Sequence, residues 1–537
     1  MSQDNKVRQR TIPGLLKQGV ARFGNRTFLH FQDQVFGFED LDRWSDRTAA
    51  GFRSLGLKKG DKTALMLGNR PEFLFLWFGL CKLGAVEVPL NVAHRGSILS
   101  YMLERSDCRA IVTEAPLLPL LVEVLPELPK LETVVVLDAA ETDPNLAAMT
   151  ASGRRVISYD QLTANDGVFE PADVIWSDPF SISFTSGTTG PSKGALMPHN
   201  YAVLMADLVN GFAEYTQDDR LYNALPLFHG NAQLLSTLPA LQSGARMILA
   251  PRFSAGQFWP DIKKYGCTAF NYIGIIPPIL LAAPPRSDDA DNPLRVMFGA
   301  GCPPELFDVL EERFGVKLIE GYGLSELGLP LANSVRERKV GSIGRVVAGY
   351  QVKLVDDNGE EVGPGVPGEV LVRGDQPFGM MLEYYRNPAE TVETWRDLWF
   401  HTGDLAVRDE DGFYRFVDRK KDALRRRGEN ISSWEVEKII SGHPAVAQVA
   451  AIAAKSDLAE DEVMVCVVRK PGVELAPEAL LDFCRDKMAN FMVPRYVRFM
   501  DQLPQTPTLR VQKAVLRSEG LTPDAWDREA AGYMVNK

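Results

Sequence analysis

Residues 184–194 read Phe184-Thr185-Ser186-Gly187-Thr188-Thr189-Gly190-Pro191-Ser192-Lys193-Gly194, a loop rich in glycine and hydroxyl groups that ends in one lysine. Glycines let backbone N–H groups approach an anion closely, hydroxyls add further donors, and a lysine supplies a compact positive charge. The apolar segment 180–184 predicts a strand, so the loop would begin where a strand ends. These features predict a phosphate-binding loop and disfavour the alternative of a flexible linker.

The order of residues in this loop differs from that of a Walker A loop. A Walker A loop has Gly, four residues and then Gly-Lys-Ser/Thr. Here four residues separate Gly187 from Ser192-Lys193-Gly194. The loop therefore indicates another class of nucleotide-binding protein.

Five further segments follow this loop along the chain. They are Ala224-Leu225-Pro226-Leu227-Phe228-His229-Gly230, Phe298-Gly299-Ala300-Gly301, Gly321-Tyr322-Gly323-Leu324-Ser325-Glu326, Trp399-Phe400-His401-Thr402-Gly403-Asp404 and Asp418-Arg419-Lys420-Lys421-Asp422. In this order the six segments resemble the signature motifs of the adenylate-forming superfamily, which includes acyl-CoA synthetases, adenylation domains of peptide synthetases and luciferases. Residues 418–432 look most like the branch named for crotonobetaine/carnitine-CoA ligases.

Length and composition fit a large enzyme. The 537 residues exceed what one hydrophobic core usually covers. A net charge of -11 disfavours a nucleic-acid binder, whose surface would be basic. The six cysteines form no Cys-x-x-Cys pair and no secretory leader is evident, so we expect reduced thiols and a cytoplasmic location. No uncharged span of about 20 residues exists, so we expect no transmembrane segment.

The hydrophobic pattern predicts an α/β fold. Strands are expected at 62–67, 110–113 and 133–138, and a helix is expected at 71–83. Asp356-Asp357-Asn358-Gly359 predicts a hairpin in which both residues of Asn-Gly adopt left-handed conformations.

After Asp418 the pattern changes to a compact α+β unit, with strands at 446–453 and 462–468 and a helix at 477–488. We therefore predict two domains, 1–417 and 418–537. The resemblance implies that the first is a large AMP-binding domain of several subdomains, and that the second is a small mobile domain that acts in thioester formation.

The chemistry implied by the resemblance is the activation of a carboxylic acid. A carboxylate is a poor electrophile, and oxide is a poor leaving group. Attack of the carboxylate on the α-phosphate of ATP releases pyrophosphate and gives an acyl-adenylate, which then acylates the thiol of coenzyme A. The resemblance thus implies an AMP-forming acyl-CoA ligase that uses ATP, Mg²⁺ and coenzyme A.

The resemblance assigns the phosphate loop and the metal. It places the β- and γ-phosphates of ATP against Thr185, Ser186, Gly187, Thr188, Thr189, Gly190 and Lys193. It gives Mg²⁺ to Glu326 and Thr188, since this hard cation prefers oxygen ligands and bridges phosphates. A solvated surface carboxylate is the alternative for Glu326.

The same resemblance implies an adenosine site. Tyr322 offers a flat face to adenine, and Gly299, Ala300 and Gly301 would let a purine or an acyl chain lie against bare backbone. Gly323 and Ser325 belong to the same segment. Asp404 would accept hydrogen bonds from both ribose hydroxyls, and Arg419 would add a ribose or phosphate contact. A core tyrosine and a turn aspartate are the alternatives for Tyr322 and Asp404.

His229 lies where relatives place an aromatic ring between the acyl pocket and the nucleotide. We interpret it as a gate or pocket residue and do not assign it as a general base. A structural histidine is the alternative. The apolar run 232–241 fits an acyl pocket and core packing equally well, so the size of the acid stays open.

In the small domain the resemblance makes Lys421 the hinge about which the domain would swing between adenylation and thioester formation. Arg425, with its neighbours Arg426 and Arg427, suits the phosphates of coenzyme A, and Gly428 would let the pantetheine arm pass close to backbone. A solvated charged face is the alternative for these arginines.

The chain departs from the superfamily pattern near its C-terminus. Relatives carry Gly-Lys where this chain has Leu509-Arg510, and the usual lysine contacts acyl and phosphate oxygens during adenylation. Arg510 keeps the charge but presents a planar fork, whereas Lys513 supplies an ammonium group three residues later. We expect one of them to be the catalytic cation and prefer Lys513, because negative charge builds on the α-phosphate.

Two other functions stay open at this point. One is a stand-alone adenylation enzyme that loads a separate carrier protein. The other is a non-catalytic binder of nucleotide or acyl-adenylate, suggested by Arg510. Relatives are often homodimers, but no feature of this sequence requires a dimer.

Overall fold

The computed structural model describes residues 7–185, 192–419, 424–426, 429–431, 433–455, 461–485, 487–488, 492–505 and 511–534. The predicted site residues Ser186, Gly187, Thr188, Thr189, Gly190, Lys421, Gly428 and Arg510 lie outside these ranges.

The strands are distributed over two large sheets, one four-stranded sheet and a C-terminal unit. They are β1 (Thr27–Phe31), β2 (Gln34–Gly37), β3 (Lys62–Met66), β4 (Val86–Pro89), β5 (Cys108–Glu114), β6 (Thr133–Leu137), β7 (Arg155–Ser158), β8 (Pro179–Thr185), β9 (Lys193–Pro198), β10 (Arg220–Asn223), β11 (Arg246–Leu249), β12 (Ala269–Asn271), β13 (Val296–Gly299), β14 (Lys317–Leu324), β15 (Gly328–Ala332), β16 (Arg345–Val346), β17 (Tyr350–Val355), β18 (Gly368–Gly374), β19 (Glu383–Tyr384), β20 (Phe400–Arg408), β21 (Tyr414–Arg419), β22 (Leu424–Arg426), β23 (Glu429–Ile431), β24 (Val446–Lys455), β25 (Asp461–Arg469), β26 (Tyr496–Met500) and β27 (Trp526–Asp527).

Helices connect most of the parallel strands. The α-helices are α1 (Ile12–Phe23), α2 (Phe38–Ser54), α3 (Pro71–Leu83), α4 (Gly96–Arg105), α5 (Leu118–Val124), α6 (Pro144–Ala151), α7 (Tyr159–Thr163), α8 (His199–Ala213), α9 (Leu238–Ser243), α10 (Ala255–Tyr265), α11 (Ile276–Leu281), α12 (Phe307–Phe314), α13 (Pro388–Thr394), α14 (Ser433–Ser441), α15 (Pro477–Arg485) and α16 (Lys513–Glu519). Short 3₁₀ segments lie at Ala115–Leu117, Leu125–Glu127, Pro304–Leu306 and Arg396–Leu398, and a π-helix spans Asn231–Thr237.

One large sheet has eight strands in the order β19-β9-β8-β4-β3-β5-β6-β7. The six strands from β8 to β7 in this order run parallel, and β9 and β19 add antiparallel pairs. Open α/β sheets bind ligands at the carboxyl ends of their parallel strands. Because β8 ends at Thr185, the predicted phosphate loop begins at such an end.

The second large sheet has nine strands in the order β16-β15-β14-β13-β12-β10-β11-β1-β2. Its six central strands run parallel, and β2, β15 and β16 are antiparallel to their neighbours. The carboxyl end of β10 leads into segment 224–230, and β13 ends at Gly299. Two of the predicted site segments therefore lie at the same edge of one sheet.

The helix Pro71–Leu83 is packed into the centre of the large domain. Every residue of this helix except Glu72 is buried. It packs closely on the helix Phe38–Ser54, since a Cβ atom on Gly79 would lie 2.0 Å from the Thr48 hydroxyl. A helix that is apolar on all sides must be covered on all sides, which explains its central position.

A four-stranded antiparallel sheet, β17-β18-β20-β21, follows the two large sheets, and its last strand ends at Arg419. The C-terminal unit then forms the pair β22-β23 and the sheet β24-β25-β26-β27 around its own buried cluster. The fold is therefore α/β with a separate small α+β domain, as predicted. The position of the boundary at 417/418 stays a prediction.

The elements expected from the hydrophobic pattern are confirmed in kind, and the helix Pro71–Leu83 is confirmed at both ends. The predicted hairpin is confirmed, since Val355 pairs antiparallel with Glu361, but the predicted conformation of its turn was wrong. Gly359 has a φ of +84°, but Asn358 is not left-handed, and Asp356 closes the turn by bonding the amides of Asn358 and Glu360. The main partner of β17 is β18, beyond this turn.

Candidate active site

The described ends of the phosphate loop lie opposite each other. Thr185 and Lys193 are partners in the antiparallel pair of β8 and β9. The Thr185 hydroxyl also points toward the Lys193 carbonyl, 3.4 Å away. The loop is therefore closed at its base by two strands, and Lys193 begins the returning strand.

Lys193 is held by an acidic and an aromatic side chain. Its ammonium group forms an ion pair with Glu390 of α13 and lies 5.3 Å from the ring centroid of Tyr384. The side chains of Lys193 and Glu390 are 24% and 34% exposed. The lysine that the sequence assigns to ATP phosphates thus has a protein carboxylate as its partner in this structure.

Glu326 is buried and fixed at both main chain and side chain. Its Oε1 accepts a 3.0 Å hydrogen bond from the Tyr384 hydroxyl, and its carbonyl accepts one of 2.8 Å from the Met381 amide. The carbonyl of neighbouring Ser325 accepts from the Tyr201 hydroxyl at 3.0 Å. These contacts hold the end of the motif in one orientation.

Burial raises the pKa of Tyr384, and the nearby Glu326 carboxylate raises it further. The phenol therefore stays protonated at neutral pH and acts as a hydrogen-bond donor to Glu326. Tyr384 contacts both predicted groups, Glu326 through its hydroxyl and Lys193 through its ring. Lys193, at the start of β9, and Glu326, in the turn between β14 and β15, are thereby brought to the same place.

The donors at this place fit a magnesium ion that ATP brings with it. Among the described residues no group of three or more His, Cys, Asp or Glu side chains could hold a metal by itself. Mg²⁺ in nucleotide enzymes is commonly bound by one or two carboxylates together with substrate phosphates. The single buried carboxylate of Glu326, which shares Tyr384 with Lys193, matches that donor set.

The residues predicted for adenine and ribose are in direct contact. The Tyr322 hydroxyl donates a 2.6 Å hydrogen bond to Asp404 Oδ2, and Asp404 is 2% exposed. The Asp404 amide donates to the Thr402 hydroxyl at 3.0 Å, which fixes the local turn. In the ladder of β20 and β21, Asp404 lies opposite Arg419, its predicted partner in ribose binding.

Two glycines of the predicted motifs are required by close packing. A Cβ atom on Gly323 would lie 1.9 Å from the Gly328 carbonyl oxygen. One on Gly299 would lie 2.5 Å from the Tyr272 ring. Larger residues at either position would push the strands apart.

Glu320 holds the loop of Gly299, Ala300 and Gly301 through side-chain hydrogen bonds. Its Oε1 accepts hydrogen bonds from the Cys302 amide at 2.7 Å and from the Tyr272 hydroxyl at 3.0 Å. Burial raises the pKa of Glu320, and the bonds from Cys302 and Tyr272 oppose that rise. The carboxyl therefore fixes the turn that follows β13.

His229 lies in a loop that the Asn69 side chain holds through hydrogen bonds. The Asn69 amide group donates to the carbonyls of Leu225 and Ala250 at 3.0 and 2.9 Å. The side-chain carbonyl of Asn69 accepts a hydrogen bond from the Leu227 amide at 2.8 Å. His229 is partly exposed, and the π-helix begins two residues later, at Asn231. Such π-helical turns often mark functional sites.

Lys513 lies in the small domain with partners of its own. Its ammonium group is 2.7 Å from Glu437 Oε1 and donates to the Ser433 hydroxyl at 2.6 Å. The Ser433 amide in turn donates to Asp418 Oδ2 at 2.6 Å. Burial raises the pKa of Glu437, and the charge of Lys513 opposes that rise. Lys513 is thus linked to the start of the predicted second domain.

Arg425 lies in β22, where it pairs with Asn430 of β23.

Several residues of the site were not singled out from the sequence. They are Tyr384, Glu390, Asn69, Glu320 and Glu437. Each acts through a contact with a residue far away in the chain, and such contacts leave no local pattern. Only the dipeptide Asn387-Pro388, the N-cap and first residue of α13, gives a sequence signal near Glu390.

Known protein families match most of the chain. The sequence model of the AMP-binding enzyme family matches residues 16–385, and that of the AMP-binding enzyme C-terminal domain matches residues 435–509. The chain is 33% identical over 481 residues to a crotonobetaine/carnitine–CoA ligase of Escherichia coli, over 88% of this chain and 90% of the relative. It is 31% identical over 510 residues to the enzyme of that name from Salmonella paratyphi B, over 92% and 96%.

Solved structures resemble the chain along nearly its whole length. The anthranilate CoA ligase AuaEII in complex with anthranoyl-AMP has a TM-score of 0.84 at 26% identity and covers 98% of each chain. ATP-bound MatB from Rhodopseudomonas palustris has a TM-score of 0.81 at 23% identity, over 94% of this chain and 98% of that chain. A benzoate CoA ligase from Burkholderia xenovorans LB400 has a TM-score of 0.82 at 22% identity, over 94% and 99%.

Among the described residues, no helix is both long and apolar enough to cross a bilayer.

Proposed function

Because this chain belongs to the AMP-binding enzyme family, as an AMP-forming acid–thiol ligase, we propose that it activates its acid at a site to which Lys193, Glu326 and Asp404 contribute. The acid is joined to AMP and then transferred to coenzyme A. The observation that carries the assignment of residues is the position of Tyr384, which contacts both Lys193 and Glu326. Two motifs separated by more than a hundred residues thereby form one polar site.

The first half-reaction transfers adenylate. A carboxylate oxygen of the acid attacks the α-phosphorus of ATP, the bond to the bridging oxygen breaks, and pyrophosphate leaves with the electron pair. In the second half-reaction the thiol of coenzyme A attacks the acyl carbon, AMP leaves, and the thiol proton is released. The protein contributes positioning and charge neutralisation.

Lys193 is proposed to bind the β- and γ-phosphates together with the loop 185–190. Its ion pair with Glu390 has to open before the ammonium group can reach a phosphate. Glu326 is proposed to hold Mg²⁺, with Thr188 as a second oxygen ligand, and the ion would neutralise charge on the phosphates. The buried position of Glu326 keeps its carboxylate in one orientation.

Asp404 is proposed to bind the ribose, since a carboxylate can accept hydrogen bonds from both hydroxyls. The Tyr322 hydroxyl already orients Asp404 Oδ2, and the Tyr322 ring is proposed to lie against adenine. Arg419 would approach the nucleotide from the adjacent strand. The backbone of Gly299, Ala300 and Gly301 would form the wall of the adenine site opposite the Tyr322 ring.

For the catalytic cation we now favour Arg510 over Lys513. The ammonium group of Lys513 is neutralised by Glu437 and bound by Ser433, so its use in adenylation would leave Glu437 without its counter-ion. Arg510 precedes it by three residues. A guanidinium group can contact two oxygens at once, which suits an α-phosphate that gains charge.

Thioester formation is proposed to use another face of the small domain. Rotation about Lys421 would bring Arg425 and Gly428 toward coenzyme A. A cytoplasmic location and a homodimer stay predictions.

The reaction is tested by measuring pyrophosphate release from ATP with a panel of short, medium, aromatic and polycyclic acids, each with and without coenzyme A. The panel includes crotonobetaine, anthranilate and benzoate, because these acids appear in the names of similar proteins. Acid-dependent release that yields acyl-CoA supports the proposal and identifies the substrate class. Release that yields adenylate but no thioester would favour loading of a carrier protein instead.

A further inference from the structure

Tyr384 occupies a position between two groups that act on the phosphates in the proposed function. It lies on β19, where it pairs with Ala195, two residues after Lys193 on β9. Its side chain is 5% exposed. The hydroxyl contacts Glu326 and the ring faces the Lys193 ammonium group, so one side chain sets the position of both.

Glu390 is attached to the same element. The Tyr384 amide donates to the Thr391 hydroxyl at 3.0 Å, and the Asn387 amide donates to the Tyr384 carbonyl at 2.8 Å. These bonds fasten the start of α13 to β19. Glu390 therefore reaches Lys193 from a helix that Tyr384 itself holds in place.

We propose that Tyr384 and Glu390 are positioning residues for ATP and its metal, an inference that rests on the proposed roles of Lys193 and Glu326. Tyr384 orients the Glu326 carboxylate for the metal. Glu390 keeps the Lys193 ammonium group at the mouth of the phosphate loop until the phosphates of ATP replace it.

The physical basis for the role of Tyr384 is a hydrogen bond to a buried carboxylate. Such bonds to charged groups are stronger than neutral ones and restrict the carboxylate to one rotamer. The bond is made to Oε1 of Glu326, so in this proposal Oε2 is the oxygen that would bind the metal. Removal of the hydroxyl would free the carboxylate to rotate and would weaken the binding of metal without removing a ligand.

The physical basis for the role of Glu390 is competition. A carboxylate and a phosphate bind the same face of an ammonium group, and Lys193 cannot satisfy both fully. Loss of the Glu390 charge would remove the competitor, so binding of nucleotide in the absence of metal would become tighter. A partly exposed ion pair of this kind corresponds to a change of about three- to fivefold in affinity.

The role of Tyr384 is tested by Mn²⁺ binding to the full chain, followed by electron paramagnetic resonance in the presence of α,β-methylene ATP, which cannot be adenylated. Tyr384→Phe keeps the ring and should weaken Mn²⁺ binding about tenfold, while metal-free nucleotide affinity and Tm stay near wild type. Tyr385→Phe is the matched control, because its hydroxyl bonds Asp107 at 3.0 Å and its ring faces Lys62. Equal Mn²⁺ binding in Tyr384→Phe and wild type would overturn this role.

The role of Glu390 is tested by calorimetric titration of metal-free ATP into the same full chain. Glu390→Gln should bind ATP about three- to fivefold more tightly than wild type. Glu393→Gln is the control, since Glu393 lies on the same helix but pairs with Arg396. Unchanged or weaker binding in Glu390→Gln would overturn the competitive role.

One more variant separates this inference from the function on which it rests. Glu326→Gln should weaken Mn²⁺ binding at least as much as Tyr384→Phe does. If Glu326→Gln binds Mn²⁺ like wild type, the proposed metal ligand is wrong, and the role of Tyr384 falls with it. If Glu326→Gln weakens binding and Tyr384→Phe does not, only the inference about Tyr384 fails.

Discussion

The Tyr322 hydroxyl donates a 2.6 Å hydrogen bond to Asp404 Oδ2 and so joins two segments that are 82 residues apart. Tyr322 lies on β14 of the nine-stranded sheet, whereas Asp404 lies on β20 of the four-stranded sheet. The bond therefore joins the four-stranded sheet to β14 of the second large sheet. The proposed adenine and ribose contacts depend on this junction.

Asp404→Asn should raise the KM for ATP by about tenfold or more, because an amide accepts ribose hydroxyls at one oxygen only and loses the charge. Initial rates of pyrophosphate release at varied ATP measure the effect. Asp411→Asn is the control, since Asp411 is exposed and pairs with Lys339. A KM for ATP within twofold of wild type in Asp404→Asn would contradict the ribose assignment.

Arg510→Ala should lower the rate of acyl-adenylate formation about a hundredfold, because charge on the α-phosphate would lose its cation. Lys513→Met should instead lower the stability of the small domain by about 2 kcal/mol, since the largely buried Glu437 would lose its counter-ion. Single-turnover adenylation and Tm distinguish the two effects. The double variant Lys513→Met with Glu437→Gln should recover most of the lost stability. A hundredfold adenylation defect in Lys513→Met alone would restore Lys513 as the catalytic cation.

The sequence predicted well those features that have a local physical cause. The helix Pro71–Leu83 is bounded by Pro71 and Gly84, which begin and end helices, and both ends were predicted. The strand before the predicted phosphate loop was likewise predicted from the apolar residues 180–184, and β8 confirms it.

The features that escaped prediction depend on distant pairs. Nothing near Tyr384 in the chain indicates Glu326 or Lys193, which meet it only after β19 pairs with β9. At Asn358 a local signal misled the prediction. Asn-Gly favours a left-handed turn, but hydrogen bonds from the amides of Asn358 and Glu360 to the Asp356 side chain set another turn. Tertiary contacts and competing side-chain bonds decide such cases.

The stability of Glu87→Gln relative to wild type should increase as the pH rises. Burial raises the pKa of Glu87 well above 4.5, so the folded protein binds this proton more tightly than the unfolded chain does. The stability from this group is full below about pH 4.5 and is lost as the pH rises toward the folded pKa, by up to about 1.4 kcal/mol per pH unit. Gln has no such proton. The difference in Tm between Glu87→Gln and wild type, measured from pH 5 to pH 8, should therefore grow in favour of the variant. Glu141→Gln, at an exposed position, should show no such trend.

Asn69→Ala should disturb the acid site while leaving the nucleotide site intact. The variant removes two hydrogen bonds to the loop before His229 and one to Ala250, which should cost about 2 kcal/mol of stability and let that loop move. We expect the KM for the acid to rise at least fivefold, with the KM for ATP within twofold of wild type, because Asn69 contacts the His229 loop and the end of β11. Initial rates at varied acid and varied ATP separate the two constants. Asn358→Ala, in an exposed turn, controls for the loss of an asparagine. An equal rise in both constants would mean that Asn69 supports the whole fold, and an unchanged KM for the acid would remove His229 and its loop from the acid site.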